Sequence, residues 1–127
     1  MPIISVSLNK KMLEELDNIQ KELGFSGRSE VIRAGARMLI ADKREKEKLT
    51  GEINSILLLI HTQDVENVVT GIKHEFEDIT NTQVHSHLQG GKCLEIFVLD
   101  GDAERIREFV ELFQTSGKMD YMKLIVA

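Results

Sequence analysis

The stretch Val84-His85-Ser86-His87-Leu88-Gln89-Gly90-Gly91-Lys92-Cys93-Leu94-Glu95 decides how this chain is read. It gathers two imidazoles and the only thiol of the protein between His85 and Cys93. Side chains alternate along a strand, so His85 and His87 leave the same face. Gly90-Gly91 marks a hairpin turn. A two-residue turn at the glycines would set Leu88 opposite Cys93 and send the thiol to the wrong face. A three-residue loop, Gln89-Gly90-Gly91, sets His87 opposite Cys93 and His85 opposite Glu95, with Gly91 in the left-handed position that loop class favours. In that register two nitrogens and a sulfur converge. Imidazole with thiolate suits zinc, copper or nickel, and is unsuited to magnesium or calcium.

Working outward from the hairpin, Ile53 to Ile60 reads as a buried strand. Asp64 is placed to cap a helix carrying Val65, Val68, Val69, Ile72 and Phe76. After the hairpin, Leu94 to Leu99 continues a strand. Gly101-Asp102 opens a helix with Ile106, Phe109, Val110 and Phe113, which Gly117 ends, and Tyr121 to Val126 is a last strand. The order βαββαβ is that of a ferredoxin-like split unit. His74 lies on the first of these helices, about 180° from its apolar stripe at 100° per residue. It faces away from its own hairpin and could join His85, His87 and Cys93 most easily across a subunit boundary; alone, such a histidine is more often a surface residue. His61, just past its strand, is read as a surface residue. Glu95 is placed to support a histidine N–H, or is a plain exposed strand residue.

The N-terminal part has a different pattern. Ile4, Val6 and Leu8 alternate with Ile3, Ser5 and Ser7, as in a short strand with one apolar side. Asn9 can cap a helix with Met12, Leu13, Leu16, Ile19 and Leu23, which Gly24 stops. A second helix starts near Arg28-Ser29-Glu30 and buries Val31, Ile32, Gly35, Met38 and Leu39. The Asp42–Lys48 charge run extends it and then links the two parts, giving domains 1–48 and 49–127. One strand and two helices are too few for an independent core, and a dimer with paired strands is the simplest remedy. This pattern resembles the ribbon-helix-helix DNA-binding fold. Its outward strand residues, here Ile3, Ser5 and Ser7, would meet base edges. The start of the second helix, Arg28 and Ser29, would offer backbone N–H groups to a phosphate. The bland alternative for Ser5 and Ser7 is an ordinary solvent face.

Bulk numbers agree with a modest aliphatic core: 127 residues, 42% hydrophobic, 5% aromatic, no Trp. Residues 1–50 hold ten Lys/Arg against eight Asp/Glu, and the remainder six against thirteen, so the net −5 is carried by the second part. The first part permits nucleic-acid contact, and the second suits a cation site. One cysteine excludes an intrachain disulfide. No apolar run approaches the ~20 residues of a membrane span, and no secretory signal is evident. The expectation is a soluble cytoplasmic protein.

With Ser26-Gly27-Arg28-Ser29-Glu30 at the turn, the βαββαβ order, the quartet His74, His85, His87 and Cys93 at intervals of eleven, two and six, and Cys93-Leu94-Glu95, the chain resembles the NikR family of nickel-responsive regulators. The resemblance covers nearly the whole chain. It implies an α+β fold: a dimeric N-terminal ribbon-helix-helix followed by a ferredoxin-like, ACT-type domain. It also implies a homotetramer, a dimer of dimers, that binds a palindromic double-stranded DNA operator as a repressor when loaded with nickel(II), one ion per subunit. His85, His87 and Cys93 of one chain would join His74 of another in a square-planar site. Two positions depart from the family. Ile3 stands where an outward arginine is common, and Ala34 replaces an acidic partner of Glu30 at a cation site near DNA. Alternatives are the same fold answering to copper, cobalt or zinc, and an ACT-type small-molecule sensor. An enzyme is not expected: neither a paired-carboxylate set nor a Ser-His-Asp set is present, and the quartet leaves no open protein-side position.

Overall fold

The computed structural model describes residues 1–127, which separate into two compact units, 1–48 and 49–127. In the first unit, helix α1 spans Lys10–Leu23 and helix α2 spans Arg28–Glu47. The Asn9 side chain accepts the Met12 N–H at 2.8 Å, and Gly24 closes α1 in the left-handed region at φ 74°. Arg28 forks onto the Asp17 carboxylate at 2.8 and 3.0 Å and ties α2 back to α1. The charge run Asp42–Glu47 does continue α2.

The first unit has no core of its own. Neither helix buries a single residue, and Met12, Ile19, Leu23, Ile32, Met38 and Leu39 are all exposed. Residues 1–9 lie outside regular secondary structure, with Ile3, Ile4 and Val6 exposed. The strand expected over Met1–Leu8 therefore forms no ladder within the chain. The reason is elementary: a strand needs a neighbour for its N–H and C=O groups, and this unit holds no second strand.

The second unit has strands β1 (Glu52–Thr62), β2 (Thr80–His87), β3 (Lys92–Asp102) and β4 (Met119–Val126), with helices α3 (Glu66–His74) and α4 (Ala103–Ser116). The sheet order is β2-β3-β1-β4, antiparallel throughout, as in a ferredoxin-like unit. Asp102 caps α4 by accepting the Glu104 N–H at 3.0 Å, and Gly117 ends it at φ 66°. Asp64 does not cap α3. A single turn at 63–65 intervenes, Asp64 takes the Thr62 hydroxyl instead, and Val65 stands at the cap.

Alternation sorts the sheet into two faces. Leu57, Leu59, Phe97, Leu99 and Leu124 face inward onto Val69, Ile106, Phe109 and Phe113 of the helices. Phe109 sits among three rings, with centroids 4.8 Å from Phe76, 5.2 Å from Phe97 and 4.9 Å from Phe113. Each such ring stabilises the fold by about 1.5–3 kcal/mol through burial. Phe76 joins this core from the turn after α3, beyond the helix the sequence pattern suggested for it. The outer face is apolar too. Its rows run Ile125-Ile56-Val98, Leu58-Ile96-Val84 and Tyr121-Ile60-Leu94, and Ile56, Val84, Val98, Tyr121 and Ile125 are exposed. No helix of the chain is long and apolar enough to cross a membrane.

Candidate metal centre

The hairpin of β2 and β3 turns through Gln89-Gly90-Gly91, with His87 paired to Cys93 and His85 to Glu95. This is the three-residue register, although both glycines, at φ 74° and 71°, are left-handed. On the inward face, adjacent strands then align His61, Cys93 and His87 in one row and Leu59, Glu95 and His85 in the next. One donor atom from each of His85, His87 and Cys93 lies within 4.8 Å of the others, and Cys93 Sγ is 3.7 Å from His87 Nδ1. Two donors bound to one ion at about 2.0–2.3 Å can be no more than about 4.5 Å apart. The three side chains need to close in further to share an ion, and the donor set is of the borderline-soft kind.

Cys93 is fully buried. Burial pushes its thiol above its ordinary pKa, and the carboxylates of Glu66 and Glu95 push the same way. Without a cation beside it, the sulfur keeps its proton.

Glu95 is buried rather than exposed, and its contacts explain how the sheet tolerates it. Oε1 accepts the Gln83 amide at 2.9 Å and lies 3.1 Å from His85 Nδ1. Oε2 lies 3.0 Å from His61 Nε2. His85 Nδ1 is also 3.4 Å from the Glu66 carboxylate. With Nδ1 turned to carboxylates, Nε2 of His85 is the nitrogen left for an ion.

His61 corrects the sequence reading. It is not a surface residue: it is completely buried, because β1 runs on to Thr62 and alternation continues the inward series Leu57, Leu59, His61. Its Nδ1 lies 2.7 Å from the Thr62 carbonyl oxygen, which can only accept, so Nδ1 carries a proton. Nε2 is left to meet Glu95 Oε2, so the ring bridges the β1 backbone and the carboxylate. The period-two pattern, extended two residues beyond Leu59, was the signal that would have found it.

His74 ends α3 with its side chain 74% exposed, Nδ1 2.8 Å from the Glu77 carboxylate, and it stands apart from the triad. In the first unit Ile3, Ser5, Ser7, Arg28 and Ser29 are exposed. Gly27, at the cap of α2, has no side chain to cover the first N–H groups of that helix. The Glu30 carboxylate is already occupied. Arg33 holds one oxygen at 2.9 Å and Arg37 the other at 3.2 Å, and both guanidinium groups keep its carboxyl below the usual range. Ala34 offers no donor, so these residues do not fit a bound cation here.

Comparison with known proteins agrees with this architecture. Residues 55–127 match the NikR C-terminal nickel-binding domain, and residues 3–43 match the ribbon-helix-helix protein, CopG family. A Methanocaldococcus jannaschii protein named "Putative nickel-responsive regulator" is 36% identical, over 99% of this chain and 92% of its own length. A Halobacterium salinarum protein of the same name is 34% identical over 87% of this chain and 80% of its own. Among solved structures, an uncharacterised Thermotoga maritima protein, TM1266, superposes with a TM-score of 0.55 at 14% identity. It covers 59% of this chain and 96% of that one, a likeness of fold alone. A ribbon-helix-helix segment, then a ferredoxin-like unit with two histidines and a cysteine at its hairpin: the chain belongs to the NikR family of nickel-responsive regulators, a family of regulators and not of enzymes.

Proposed function

We propose that this chain is a DNA-binding transcriptional repressor that recognises a palindromic operator when its hairpin site is loaded with nickel(II), one ion per subunit. The observation that carries the reading is the convergence of His85, His87 and Cys93 on one face of a hairpin whose strands are locked into the sheet. His74, exposed at the end of α3 and outside the triad, is the fourth donor, given to a neighbouring subunit's site. Three nitrogens and a thiolate suit a d8 ion in a plane, and such an ion links residues of two chains. Glu95 orients His85, as carboxylates commonly orient metal-bound imidazoles.

The assembly is a homotetramer, a dimer of dimers. Two apolar surfaces support it: the uncovered stripe of α1 and α2 with residues Ile4, Val6 and Leu8, and the outer sheet face around Ile56, Ile96 and Val98. Paired N-terminal strands would present Ile3, Ser5 and Ser7 to the major groove, while the start of α2, at Arg28 and Ser29, receives a phosphate. Metal linkage tightens DNA binding only if the ion prefers the DNA-competent arrangement of subunits. A gel-shift titration of operator DNA tests this, with metal-free protein and with nickel, copper, cobalt or zinc in parallel arms. Tightening by nickel is the expected result. Equal operator affinity with and without nickel rejects the reading, and tightening by another ion alone rejects nickel as the signal.

A further inference from the structure

We infer that His61 is a positioning residue of the metal centre: it holds Glu95 so that the other carboxylate oxygen fixes the ring of His85. The inference rests on His85 being a ligand, as proposed above. His61 lies on β1, outside the hairpin that carries the triad, and reaches the site only through Glu95. Its ring is anchored at both ends, by the Thr62 carbonyl at 2.7 Å and Glu95 Oε2 at 3.0 Å. A second donor acts on the other oxygen. Gln83 reaches Oε1 at 2.9 Å, and Lys73 Nζ, 3.1 Å from Gln83 Oε1, sets which way that amide points. The carboxylate thus cannot rotate away from His85 Nδ1 without breaking contacts on both sides.

Stability alone does not account for this arrangement. Replacing a buried polar pair by apolar side chains of similar volume is often neutral or favourable, and Leu57 and Leu59 show that this face accepts leucine at the neighbouring inward positions. What the pair does add is direction. With Glu95 fixed, Nδ1 of His85 stays turned to the carboxylate at 3.1 Å, and Nε2 is the nitrogen left for an ion. A carboxylate with a free oxygen would swing and let both tautomers form.

Asparagine and glutamine at position 61 separate the two contacts. The Asn amide nitrogen matches Nδ1 and reaches the Thr62 carbonyl, whereas the Gln amide nitrogen matches Nε2 and reaches Glu95. Full-length His61→Asn and His61→Gln are compared with wild type by nitrogen NMR of the His85 ring in metal-free protein, and by chelator competition for nickel. Expected are a single Nδ1–H tautomer in wild type and H61Q, mixed tautomers in H61N, and nickel affinity about 10–100-fold lower in H61N, with most of that recovered in H61Q. Equal behaviour of the two variants in both measurements overturns the inference. So does loss of affinity in proportion to thermal destabilisation with His85 unchanged, which marks a merely structural role. Should wild type bind no nickel, the proposed function fails, while the His85 tautomers still decide whether His61 positions that ring.

Discussion

Acidification should weaken nickel binding about tenfold per pH unit through Cys93 alone. Burial is the main force that raises this thiol, with the Glu66 and Glu95 carboxylates adding to it, so in the metal-free protein it is protonated throughout pH 6–8. The bound form requires thiolate. One proton therefore leaves for each ion that enters, and binding strengthens as pH rises. One displaced proton corresponds to about 1.4 kcal/mol per unit, or about 2.7 kcal/mol and a hundredfold between pH 8 and pH 6. Any imidazole that titrates in that window steepens the slope. The assay is competition against a chelator of known pH-corrected affinity, read by the thiolate-to-nickel charge-transfer band. A slope of one decade per unit or more is expected in wild type. Cys93→Ser should lose the band and the thiol's share of the slope. A flat profile in wild type refutes the argument, because the sulfur would then be either already ionised or not a ligand.

Cys93→Ala should abolish the nickel response of operator binding while circular dichroism stays that of wild type, since a small buried side chain is removed from a sheet held by many others. His74→Ala leaves the triad intact, so nickel should still bind but with a changed absorption spectrum, measured alongside the tetramer mass by sedimentation. Phe109→Ala removes the ring at the centre of the aromatic cluster and should cost about 3–5 kcal/mol, read by denaturant unfolding of the metal-free protein. Ile96→Glu, on the outer sheet face, should reduce the assembly to a smaller species by light scattering.

Much of this molecule was legible from local chemistry. Asn9, Gly24, Asp102 and Gly117 mark helix ends because capping and left-handed geometry depend on residues within one turn. The hairpin register followed from two glycines and the period of a strand, which is why His85, His87, Cys93 and Glu95 could be placed together from the sequence. Other features are set by distant partners. The strand expected over Met1–Leu8 has no neighbour in its own unit, and local pattern cannot supply one. Asp64 lost its capping role to Val65 because the chain spends a turn between β1 and α3. His61 looked exposed because a histidine after an apolar run resembles a strand's end. Only the pairing of β1 with β3 shows that the strand goes on and that residue 61 meets a carboxylate thirty-four positions away. Side-chain type and spacing determine which donors can converge. Which groups hold them in place depends on sheet pairing, a contact between residues far apart in the chain that no local period encodes.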